Sequence, residues 1–115
     1  MTFQDLTQLP NVKVLVETKN PLQPIEEAYT SDLLSDVMAN APDNSVLITL
    51  QAHKNTVACA SLAGISVILL AGHPNAPDDM LAAARDQHIS LLGSPENQFQ
   101  LSVRVGRLLG EKALA

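Results

Sequence analysis

With 115 residues, 46% hydrophobic and 17% charged, the chain has enough apolar material for one domain, is too short for two separate cores, and is not intrinsically disordered. A net charge of −5 and only three aromatic rings, Phe3, Tyr29 and Phe99, exclude a basic, base-stacking nucleic-acid surface. The longest apolar run, Val67 to Ala71, is far short of a bilayer span, so no membrane segment is expected.

The first residues carry neither a basic region nor an apolar stretch of the secretory kind. A lone cysteine, Cys59, permits no internal disulfide and no cysteine-based metal cluster. Both features lead to the expectation of a cytoplasmic protein.

In chain order, residues 12–17 read as a strand. Ser31 is the expected N-cap of a helix with Asp32 in its positive first turn, and Leu33, Leu34, Val37 and Met38 form its apolar face. Residues 45–51 form a short, β-branched apolar run after Pro42-Asp-Asn, which predicts a strand buried on both faces. A helix of small residues follows from Asn55 to Ala63 and stops at Gly64; within it Cys59 reads as a small buried hydrophobe. Residues 65–71 are a second buried strand, ended by Gly72-His-Pro-Asn. Pro77-Asp-Asp opens a third helix with Met80, Leu81 and Ala84 on its buried edge, and residues 88–93 are a shorter strand.

The last segment carries two patterns. Phe99, Leu101, Val103 and Val105 alternate as in a strand, whereas Leu101, Val105, Leu108 and Leu109 share a helical stripe after Ser94-Pro-Glu. A helix with apolar residues on two sides accounts for both, one side meeting the sheet and the other a partner. The alternation predicts a homodimer in which Phe99, Leu101, Val103 and Val105 take part. Strands alternating with helices imply a single α/β domain: a three-layer α/β/α sandwich around a mostly parallel sheet of about four to five strands, with helices on both faces.

Ligands of open α/β sheets settle at the carboxyl ends of the strands. That places Thr49, Gln51, His53 and Asn55 after one strand, Gly72 and His73 after the next, and Ser31, Asp32, Ser35 and Asp36 at a neighbouring helix start. His53 and His73 follow adjacent strands and could share a proton or a metal, but no third ligand has a metal-site spacing, and both also read as ordinary loop histidines. Asp32 and Asp36, four apart, would share a helix face as an acid–base pair or as plain solvated residues. Asn55 also reads as a helix cap, and Gly72 as a turn residue. The sequence contains no phosphate-binding glycine loop, no dinucleotide fingerprint, no nucleophile elbow and no zinc-protease motif. No cofactor is implied.

Three stretches carry a family resemblance: Tyr29-Thr-Ser-Asp-Leu-Leu-Ser-Asp-Val-Met-Ala, Val46-Leu-Ile-Thr-Leu-Gln-Ala-His-Lys-Asn-Thr-Val-Ala and Ile68-Leu-Leu-Ala-Gly-His-Pro. Over roughly residues 10–110 the chain resembles the DRTGG domain family, and in particular its small stand-alone members similar to the N-terminal domain of HPr kinase/phosphorylase. The resemblance implies an α/β/α regulatory or dimer-forming domain, separate from the kinase machinery, which this chain lacks. Ser31, Asp32, Ser35, Asp36, His53 and Asn55 match the stand-alone pattern, which places them nearest any ligand. Where the family usually has Thr-Gly-Gly, this chain reads Ala71-Gly72-His73.

The expected function is a non-catalytic regulatory or ligand-binding module that self-associates and takes a small polar or phosphorylated ligand or a protein partner. Two alternatives are a small enzyme using the histidines and aspartates for acid–base or metal chemistry, and a structural subunit of a larger metabolic or redox complex.

Overall fold

A computed structural model describes residues 1–114, with side chains described through Glu111. A five-stranded sheet in the order β1-β5-β4-β3-β2 forms the middle layer. Its strands are β1 (Lys13–Val16), β2 (Glu27–Thr30), β3 (Ser45–Thr49), β4 (Val67–Ala71) and β5 (Ser90–Ser94). The helices are α1 (Phe3–Thr7), α2 (Leu34–Asn40), α3 (Lys54–Leu62), α4 (Asp78–Gln87) and α5 (Gln98–Leu114). Strands β2 to β5 pair in parallel, and β1 runs antiparallel at the β5 edge. The three-layer, mostly parallel architecture expected from the sequence is the one observed.

Period-two alternation divides the apolar side chains between two cores. On one face Leu47, Ile68, Leu70 and Leu91 meet Val37 of α2, Val57 and Ala60 of α3, and Met80 and Ala84 of α4. On the other, Val46, Ile48, Val67, Leu69 and Leu92 meet Phe3 and Leu6 of α1 and Leu101 and Val105 of α5. Strand β1 breaks the alternation. A register shift between Val14 and Val16 sends Leu15 and Val16 to the same core, the signature of a bulge on an edge strand.

The three crossovers α2, α3 and α4 therefore all lie on one face, and sheet order increases steadily from β2 to β5. A binding crevice forms where successive crossovers leave for opposite faces and the order reverses. The parallel strands contain no such reversal, so the ligand position expected at their carboxyl ends has no crevice of topological origin.

Several sequence expectations are corrected. Strand β2 was not foreseen, nor was α1, whose Thr2–Asp5 capping box closes its N-terminus. Helix α2 starts later than predicted. Ser31 Oγ accepts from the Leu33 N–H at 3.2 Å in a turn before the helix, Leu33 is the extended N-cap, and Asp32 lies outside α2. Of the expected apolar face only Val37 is buried and Leu34 partly so, while Leu33 and Met38 face solvent. The N-cap of α3 is His53, not Asn55, which sits in the first turn with its side chain exposed. Residues 98–114 form a helix, as read from the sequence.

Candidate functional site at the carboxyl edge

Asp32 organises the carboxyl edge of the sheet. Released from α2, it turns towards the end of β3, where one carboxylate oxygen accepts three hydrogen bonds: from Thr49 Oγ1 at 3.0 Å, the Leu50 N–H at 2.8 Å and Gln98 Nε2 at 2.9 Å. Gln51 Nε2 donates to the Asp32 carbonyl at 3.1 Å, the Gln51 N–H donates to Thr49 Oγ1 at 3.1 Å, and Thr56 Oγ1 donates to the Gln51 carbonyl at 2.7 Å. Thr49 and Thr56 are fully buried hydroxyls, and these bonds satisfy them.

The connection from β5 to α5 closes the same edge. Ser94 bridges His73, the Gly72 N–H donates to the Glu96 carbonyl at 2.8 Å, and Gln98 then reaches Asp32. This strap crosses the end of β4 to bring the chain from the α4 side of the sheet to the α5 side. Arg104, two turns into α5, fastens it through a two-pronged pair with Glu96, Nε to Oε1 and Nη2 to Oε2 both at 2.8 Å. That pairing raises the Arg104 pKa above its ordinary value. Gly72 leaves β4 with φ of 72°, as a turn glycine does. Gly93 is required for contact: a Cβ there would lie 2.6 Å from the His73 carbonyl oxygen and 3.1 Å from that of Pro74.

Asp36 belongs to a separate cluster. Tyr29 Oη donates to both of its oxygens, at 2.9 and 3.0 Å, and Asn40 Nδ2 donates to Oδ1 at 2.9 Å. Hydrogen bonds from Asn40, Ser31 and Tyr29 hold the Asp36 carboxyl below its usual range, and the bond to Asp36 pushes the Tyr29 phenol up. The predicted pairing of Asp32 with Asp36 on one helix face is thus corrected, because the two carboxylates serve different partners. His53 is exposed and His73 half-buried, and neither hydrogen-bonds to an aspartate. Ser35 and Asn55 are exposed and away from these bonds. Among the described residues no group of three or more histidines, cysteines, aspartates and glutamates is placed to hold a metal ion.

The expected partner face on α5 is corrected as well. Leu101 and Val105 are fully buried against the sheet, Val103 is half-buried, and of the four only Phe99 is open, at 77% exposure. A helical turn cannot present all four together: residues two apart point about 200° apart, so alternation scatters them around the axis.

What sequence reasoning missed is that exposed apolar residues adjoin the Asp32 cluster along the chain: Leu33, Leu50 and Phe99 are 64%, 45% and 77% exposed. Leu33 follows Asp32 in the chain, Leu50 donates its N–H to it, and Phe99 follows Gln98, which also bonds to it. Gln98 had no local signal, because its partner lies 66 residues away in the loop before α2.

No protein-family model matches the chain, and no curated protein does. Among solved structures, the chain is similar to the CBS and DRTGG domains of the regulatory region of Clostridium perfringens pyrophosphatase, complexed with its activator diadenosine tetraphosphate. The TM-score is 0.66 at 13% identity, over 94% of this chain and 48% of that one, so the chain spans about half that structure's length. The likeness is one of fold, shared with a regulatory region that contains a DRTGG domain. No helix among the described residues is long and apolar enough to cross a membrane.

Proposed function

We propose that this chain is a non-catalytic DRTGG-like module, similar to the N-terminal domain of HPr kinase/phosphorylase without kinase machinery, that binds a small ligand at its carboxyl edge and self-associates. The observation that carries the reading is an Asp32 cluster already satisfied by its own chain and adjoined along the chain by three exposed apolar residues, Leu33, Leu50 and Phe99. Exposed leucines and a phenylalanine beside polar loop groups offer a ligand an apolar face and orienting hydrogen bonds. His53, Gln51 and His73 stand at the ends of the same strands as candidates for the polar contacts. The fold neighbour, a regulatory region complexed with a dinucleotide, supports a phosphorylated or nucleotide-like ligand class.

The chemistry of the edge supports binding over catalysis. The acid–base alternative calls for an imidazole joined to a carboxylate, and neither His53 nor His73 hydrogen-bonds to Asp32 or Asp36. The test is calorimetry and thermal shift with mononucleotides, dinucleoside polyphosphates and phosphorylated metabolites on the chain and on Phe99→Ser. Saturable binding weakened by that substitution is the expected result. Binding to none of them, or turnover of any, would overturn the reading.

A further inference from the structure

Helices α3 and α4 pack side by side, and between them runs an open groove of about 360 Å³ lined by Val57, Ala58 and Ala83, with Leu62 on its rim. Each helix joins two parallel strands of the same sheet, so the two run in the same direction. Lys54, the first residue of α3, marks one end of the groove. Asp86 marks the other end, beside Gln87, whose side-chain oxygen accepts from Ser61 Oγ at 3.3 Å. The groove thus has a cation at one end, an anion at the other and small side chains between. Lys54, Ala58, Ser61 and Leu62 form one exposed stripe at helical spacing, and 76% of Leu62 is in solvent with no apolar cover. Lys54 has no ion-pair partner among the described residues.

We infer that the occupant of this groove is a second copy of the chain, packed through a two-fold axis near Ala58. A two-fold axis across α3 reverses the partner helix, bringing each Lys54 to the end of the partner groove where Asp86 stands. The charges then complement one another twice, and small residues at the centre let the helices approach while each Leu62 finds apolar cover. A charged patch of one sign would not be self-complementary; this arrangement is. The inference rests on the self-association proposed above and gives it a surface, one distinct from the carboxyl edge.

The test is sedimentation velocity across a concentration series on the full chain, Lys54→Glu, Asp86→Lys and an equimolar mixture of the two variants, with circular dichroism to confirm folding. Both positions are exposed, so the fold is retained. The wild-type chain forms a dimer that dissociates on dilution. Each variant alone opposes like charges twice and associates at least about tenfold more weakly. The mixture recovers association, because the heterodimer restores both pairs. Variants that dimerise as well as wild type would overturn this surface while leaving self-association intact. Weakened variants whose mixture shows no recovery would overturn the two-fold pairing. A wild-type chain monomeric at every concentration would overturn this inference and the self-association reading together.

Discussion

Gln98 Nε2 and the carboxylate of Asp32, 66 residues apart in the chain, lie 2.9 Å apart at the carboxyl edge. The bond joins the first turn of α5 to a loop that belongs to the opposite helical layer. Asp32→Ala would leave the Leu50 N–H, the buried Thr49 hydroxyl and the Gln98 amide short of an acceptor, a loss of about 2 kcal/mol. Asp32→Asn keeps one acceptor oxygen and loses less. Urea unfolding measures both, and equal losses for the two substitutions would show that the shared acceptor is not what matters.

Gly93→Ala tests the crowding at β5. The new methyl would meet two backbone carbonyls of the 73–74 turn, which cannot swing aside as a side chain can. A destabilisation of about 2 kcal/mol is expected, read as a lower urea midpoint with an unchanged slope. An unchanged midpoint would mean that the turn yields freely.

Tyr29 is the only tyrosine and the chain has no tryptophan, so alkaline ultraviolet absorbance reports its phenol directly. Its folded-state pKa is raised above 10.0, so its contribution to stability is present below that value and fades as pH climbs through the folded pKa. Asp36 is the reverse case. Its pKa is lowered from 3.8, so its contribution is present above that value and lost as pH falls through the folded pKa. In the Asp36→Asn variant the phenol should titrate at lower pH than in the wild type; an unmoved midpoint would sever the link.

Leu101 and Phe99 lie two residues apart in α5 and should behave oppositely. Leu101 is fully buried, and Leu101→Ala should cost about 3 kcal/mol. Phe99 is largely in solvent, and Phe99→Ser should leave stability within about 0.5 kcal/mol while weakening ligand binding. Denaturation midpoints separate the two, and comparable losses would contradict the placement of the helix.

Cys59 lies buried in α3, its thiol donating to the Leu34 carbonyl at 3.5 Å, and burial pushes its pKa up. A thiol reagent at pH 8 should modify it slowly in the native chain and rapidly in urea. Rapid native labelling would mean that α2 lifts readily from α3.

The strands covered on both faces were legible in the sequence, because burial on two sides writes an unbroken apolar run: Val46 to Ile48 and Val67 to Ala71 admit few other readings. Strand β2 was not, since Glu27-Ala-Tyr-Thr is a half-exposed edge whose strand character comes from pairing with β3. The start of α2 was misread because Ser31 makes its local turn before the helix, which frees Asp32 for a partner that no local pattern names. At the site, Thr49 and Gln51 could be picked out as polar residues at a strand end, and Asp32 as one at a helix start. Gln98 could not, because the strap that delivers it is a property of the whole fold. The α5 stripe was legible as a helix, but alternation in the same residues falsely suggested a partner face.

The strap from Ser94 to Gln98 also governs how this edge breathes. The Gly72 amide is held by the Glu96 carbonyl and the Leu50 amide by the carboxylate that Gln98 anchors. When the start of α5 lifts away, both bonds lose support, so both layers should register one local opening at the same moment.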